Sequence, residues 1–167
     1  MAYSREQIAQ WLDDYFEGVN RNQGALEVVA RSREYFSDDL EFTMYTATSP
    51  EMSVPLTREQ LLMTFVHSGL LESLTPNYYV IDVTAMRAVV QFSIAFRDEG
   101  SGREWPVKQA SAHYQFESTA TGGLRIAKIQ YWTEVFDEEF RPMFELWRRA
   151  RAQALAEFGC RYFRCLE

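Results

Sequence analysis

Cysteine and histidine are scarce in this chain, with two of each. Both cysteines, Cys160 and Cys165, lie close to the carboxyl end. No disulfide framework can brace the core from there, and the plain expectation is free thiols on a tail. Two thiols without nearby histidines make a poor metal site, and His67 and His113 lack ligand spacing, so no metal is expected. Basic residues are the minority charge: 17 Lys and Arg stand against 24 Asp and Glu, a formal net charge of -7. Such a chain repels phosphate backbones, which argues against nucleic acid as a partner. No apolar run approaches the roughly 20 residues of a membrane span. The start, Met1-Ala2-Tyr3-Ser4-Arg5-Glu6, lacks the basic and apolar regions of a signal peptide, so the cytoplasm is the expected compartment. Glycine-rich phosphate loops and nucleophile elbows are also missing, and no cofactor is expected.

Aromatic residues are plentiful: 12 Phe, 9 Tyr and 4 Trp supply rigid walls for a core or a ligand cavity. Ser4-Arg5-Glu6-Gln7 reads as a capping box, and Ile8, Trp11, Leu12, Tyr15 and Val19 follow at helical spacing. Asn20 to Gly24 breaks that pattern, and a second helix is predicted over 25–35. Ser37-Asp38-Asp39 reads as a turn, Leu40 to Tyr45 as a strand, and Thr46 to Pro55 as a loop. Thr57-Arg58-Glu59-Gln60 is a second capping box, opening a helix through Leu61, Leu62, Phe65, Val66 and Leu70. Gly69 and Pro76 bracket its expected end. The period then changes to two over Tyr78 to Val83, Arg87 to Arg97, Val107 to Glu117 and Leu124 to Glu134. Short links between these strands imply an antiparallel meander. Phe140, Met143, Phe144, Trp147, Ala150 and Ala154 suit a final amphipathic helix, with Pro142 in its first turn.

This order is α+β: a curved antiparallel sheet with helices on its concave face, forming a cone-shaped pocket, plus a carboxyl-terminal helix. Phe36-Ser37-Asp38-Asp39-Leu40-Glu41-Phe42 resembles the entrance to the first strand of one superfamily. Ala112-His113-Tyr114-Gln115-Phe116 resembles the strand before its last hairpin, and Gly123-Leu124-Arg125-Ile126 with Tyr131-Trp132-Thr133-Glu134 resembles its ending. The chain is thus similar to the nuclear transport factor two-like superfamily, which includes ketosteroid isomerases and SnoaL-like polyketide cyclases. The resemblance covers residues 4 to 136. It implies a SnoaL-like α+β barrel domain over 1–136, with 137–167 as a helical extension and tail packed on it.

Residue by residue, the resemblance transfers little catalytic machinery. The general-base aspartate of the isomerases falls on Met44 and their oxyanion-hole acid on Ala112; neither can move a proton. The arginine and aspartate of limonene epoxide hydrolase fall on Ser93 and Ala95. A carboxylate ending the last strand survives as Glu134, and the first-helix tyrosine corresponds to Tyr15. Glu134 sits two residues beyond Trp132, so a regular strand would turn both to one face. An apolar wall there would desolvate the carboxylate and suit it to proton transfer; a solvated strand-end glutamate is the plain alternative. Tyr15 could polarise a carbonyl or serve only as core. Gln91 and Ser93 could orient a polar ligand, with Phe42, Met44, Phe65, Ala112 and Trp132 as further lining; equally, either face of that strand could be the outer one, buried in a dimer. His113 has the opposite parity to Ala112 and should face outward, and His67 reads as a helix-terminal residue.

Two functions follow as expectations. One is a cofactor-independent isomerase, lyase or cyclase acting on a small apolar carbonyl or polyketide-like metabolite. The other is a non-catalytic ligand-binding or dimeric structural protein of the same fold. Helices can cover only one sheet face, so a homodimer through the outer face is expected, with Tyr114, Tyr131 or His113 nearby.

Overall fold

A computed structural model describes residues 3–24, 26–46, 55–66, 69–146 and 149. Helix α1 (Arg5–Arg21) starts where the sequence places it. The Ser4 side chain accepts from the Gln7 N–H, and the Gln7 side chain accepts from the Ser4 N–H at 2.8 Å. These bonds satisfy donors that the first helical turn cannot pair internally. Ile8, Leu12, Tyr15, Phe16 and Val19 form its buried stripe. The predicted second helix is a short α2 (Leu26–Val29) that tightens into a 3-10 helix over Ala30–Tyr35. Thr57 and Gln60 make the second box and open α3 (Arg58–Thr64).

The strands are β1 (Phe36–Thr46), β2 (Pro55–Leu56), β3 (Leu70–Asp82), β4 (Arg87–Asp98), β5 (Lys108–Ser118) and β6 (Leu124–Thr133). Their order is β2-β1-β6-β5-β4-β3. The meander from β3 to β6 is antiparallel, as the short links imply. One pair differs: β1 lies parallel to β6, so the sheet is mixed. Register shifts interrupt β1 between Phe36 and Glu41, β3 between Pro76 and Tyr78, and β5 between Gln115 and Phe116. Such bulges add local twist and help the sheet curl.

Two strands begin earlier than the sequence suggests. β1 starts at Phe36, because the residues read as a turn lie within its register shift. β3 starts at Leu70, where a helix was expected to end. Leu70, Leu71 and Leu74 fit helical spacing as well as extended spacing, and Pro76 reads as a stop. Pro76 is tolerated inside β3 because β3 is the edge of the sheet and the register shifts there.

The β3 edge is not left open. Asn20 accepts from the Leu74 N–H and donates to the Leu74 carbonyl, both at 2.8 Å. Gln23 donates to the Glu72 carbonyl at 2.8 Å and accepts from the Glu72 N–H at 3.1 Å. Two side-chain amides from the end of α1 thereby replace a neighbouring strand. The residues read as a break between helices are thus the clamp between α1 and the sheet.

The main core lies between α1, α3 and one sheet face, around Phe16, Phe36, Val90, Phe92 and Ile126. A second cluster of Leu70, Trp105, Phe140 and Met143 closes one end, with Phe96, Phe136 and Leu146 against it. Asp137 caps the 3-10 turn Glu138–Phe140, and 141–146 is helical. The described part of the carboxyl-terminal segment therefore packs on the same body. His67, Trp147, Ala150, Ala154, Cys160 and Cys165 lie outside the described residues. No helix among the described residues is long and apolar enough to cross a membrane.

Asn20→Ala should strand a part-buried N–H and C=O of Leu74. An expected loss of about 1–3 kcal/mol, read by urea unfolding, would match the cost of unmaking such bonds. Asn20→Asp keeps the acceptor and loses the donor, so it should fall between the two.

Candidate active site

The inner sheet face, α1, α3 and the closing cluster enclose a cavity of about 420 Å³. Its walls are mostly rings and aliphatic chains. Phe42 and Met44 come from β1, Phe65 from the end of α3, and Phe92, Ile94 and Phe96 from β4. This volume is typical of pockets for drug-sized molecules.

Of the residues singled out in the sequence, Tyr15, Phe42, Met44, Phe65 and Glu134 line the cavity. Ala112 is fully buried on the same face, opposite Tyr131 in the strand register. Gln91, Ser93 and Trp132 require correction. The strand parity that turns Phe92, Ile94, Tyr131 and Thr133 inward turns these three outward. Ser93 instead joins an outer-face network, accepting from Gln109 at 3.1 Å and from Asn77 at 3.3 Å. Trp132 stacks on Tyr45 at 5.0 Å and meets His113 at 4.5 Å. His113 is exposed and faces outward, whereas Tyr114 and Tyr131 face the cavity.

Glu134 lies one residue past the end of β6, so strand alternation no longer governs it. Its side chain is exposed at the rim, and Oε2 accepts the Gln109 N–H at 2.9 Å. It does not share a wall with Trp132.

Glu72 is not among the residues the sequence singles out, yet it is a carboxyl in the wall of this cavity. It lies on β3 between Leu70 and Leu74, and all three line the cavity. Its side chain is half-buried. No ion pair or side-chain hydrogen bond reaches its carboxyl among the described residues. Burial alone pushes its pKa up from the usual 4.5 to about 7. Its signal was present in the alternation Leu70, Glu72, Leu74, hidden by reading that stretch as a helix end.

Three tyrosines from three elements share the cavity with it. Tyr15 and Tyr131 both sense the Glu72 charge. Tyr114 interacts with Tyr15, and its ring stands 5.9 Å away, edge to face. Burial holds all three phenols above their ordinary range, so at neutral pH they are protonated donors. A carboxyl poised near neutrality beside fixed O–H donors can take a proton from a ligand carbon and steady the charge that develops on oxygen. No group of three or more His, Cys, Asp or Glu among the described residues is placed to hold a metal ion.

With this geometry in place, the comparisons define the class of fold. No protein-family profile matches the chain, and none of the curated proteins matches it. Solved structures do. ActVI-ORFA from Streptomyces coelicolor is similar at a TM-score of 0.56 and 9% identity, over 77% of this chain and 95% of that one. BvnE pinacolase from Penicillium brevicompactum is similar at 0.56 and 12% identity, over 87% and 93%. An NTF2-like protein from Burkholderia pseudomallei is similar at 0.53 and 16% identity, over 83% and 95%. The chain has the NTF2-like α+β fold.

Glu72 also leaves a mark on stability. Its folded pKa is raised, so the folded state holds a proton that the unfolded state gives up above 4.5. The contribution of Glu72 to stability is then greatest below 4.5 and declines as pH rises through about 7. Glu72→Gln removes that penalty. Relative to wild type it should gain on the order of 2 kcal/mol at pH 8, and much less at pH 5, in paired thermal melts.

Proposed function

We propose that this chain is a small-molecule enzyme of the NTF2-like fold, moving protons without a cofactor on a small, largely apolar carbonyl or polyketide-like compound. Isomerisation, cyclisation and elimination all fit that chemistry. The observation that carries the reading is Glu72, a carboxyl without an ion pair among the described residues, in the wall of an aromatic cavity, where burial pushes its pKa up to about 7. One fold neighbour is a pinacolase, so the same fold carries an enzyme elsewhere.

In this reading Glu72 takes the proton next to the carbonyl and returns it to another carbon or to a leaving hydroxyl. Tyr15 and Tyr131 donate to the carbonyl oxygen while it carries charge. The apolar walls exclude water, which strengthens both interactions. Glu134 is assigned to the rim, where it holds the Gln109 backbone.

A small apolar ketone, 2-tetralone, tests this directly. Wild type should speed deuterium uptake at its α-carbon above the buffer rate, followed by NMR. Glu72→Gln should lower that rate by about a hundredfold or more, the usual scale of acid–base catalysis, while Glu134→Gln changes it little. Wild-type exchange at the buffer rate would remove the catalytic reading and leave a ligand-binding pocket.

We also propose a homodimer through the outer sheet face. Tyr78 and Val80 on β3 are 53% and 59% exposed there, and across the same face stand Trp132 with Tyr45 and His113 against its ring. Light scattering should give twice the 19.5 kDa chain mass. A charge introduced by Val80→Lys should shift it toward the monomer; a monomeric wild type at micromolar concentration would exclude this assembly.

A further inference from the structure

We propose that the cavity binds a small apolar ammonium, with the Glu72 carboxylate as its counter-ion and the surrounding aromatic rings as its walls. This goes beyond the proton-transfer reading and shares with it only the placement of Glu72. Three observations carry it. The Glu72 carboxyl has no ion pair and no side-chain hydrogen bond among the described residues, so the partner it lacks can come from a ligand. No Lys, Arg or His belongs to the described lining, so an anion would find no compensating charge. Tyr15, Phe92, Phe96 and Tyr131 present rings around the same space, and aromatic faces attract a desolvated cation. Lys108, on β5, is engaged elsewhere: it stands 3.7 Å from Asp137 and lies over the Phe140 ring.

The groups that face Glu72 leave its charge state to the ligand. α1 contributes Tyr15, β5 Tyr114 and β6 Tyr131, all protonated phenols at neutral pH. β4 contributes only Phe92, Ile94 and Phe96. The exposed Glu134 is a second carboxylate of the described lining and adds to its preference for positive charge. A bound ammonium stabilises the Glu72 anion, so binding expels the proton that burial otherwise retains. An occupied site then holds Glu72 as a counter-ion and withdraws it from proton transfer.

Three matched probes test this: 2-naphthylmethylamine as the ammonium, 2-naphthylmethanol as its neutral analogue, and 2-naphthoate as the anion. Titration calorimetry near pH 8 should find the amine bound at least about tenfold more tightly than the alcohol, with the naphthoate weakest. Glu72→Gln should cost the amine about tenfold and the alcohol much less. On the wild type, amine affinity should weaken below pH 7, approaching about tenfold per unit, while alcohol affinity does not. An amine bound no better than the alcohol, or bound equally well by Glu72→Gln, overturns the proposal. Should that variant fail to fold, a flat pH profile on the wild type overturns it equally. Ketone exchange is measured without amine, so an exchanging protein that ignores the ammonium refutes this inference alone. One that binds the ammonium and exchanges nothing refutes only the catalytic reading.

Discussion

The pairing of α1 with the β3 edge governs most of what the cavity can do. An edge strand presents unpaired N–H and C=O groups, and those of Glu72 and Leu74 are claimed by the amides of Gln23 and Asn20. The clamp fixes the end of α1 and the strand that carries Glu72 in one step. With the strand so held, its alternation turns Leu70, Glu72 and Leu74 inward toward Tyr15 and Tyr131. A carboxyl on a mobile segment would swing into water and recover its ordinary acidity. Held on this strand, it stays among rings and becomes a weak acid near neutrality.

Much of the fold was legible in the sequence, because its signals are local. Ser4 with Gln7 and Thr57 with Gln60 are short-range caps, and both form as written. Period-two alternation located β4, β5 and β6 to within a residue at either end. Errors arose where distant partners decide the local structure. Leu70 to Leu74 is extended because β4 pairs with it and α1 clamps it, and neither partner is near in sequence.

The candidate site was legible only in part for the same reason. Tyr15, Phe42, Met44 and Phe65 were found because helix faces and strand parity point them inward. For Gln91 and Ser93 the sequence leaves either face of the strand open to the pocket, and Val90, Phe92 and Ile94 carry the buried apolar face. The polar side of that strand faces out, as elementary alternation requires. A two-residue spacing sets Trp132 and Glu134 on one face only along a regular strand, and β6 ends at Thr133. Glu72 escaped because it lies on a strand misread as the end of a helix.

The parallel pairing of β1 with β6 sets the order in which the chain can be completed. Phe36 to Thr46 align with Ile126 to Thr133, so about ninety residues separate the partners. β2 offers β1 only two residues of antiparallel pairing in the meantime. On a ribosome, β3, β4 and β5 can associate as hairpins while the inner edge of β1 still waits for β6. The wall bearing Phe42 and Met44 is therefore the last to close. Any chain cut short before β6 would carry an apolar β1 edge with nothing to receive it, a natural substrate for holdase chaperones or for self-association.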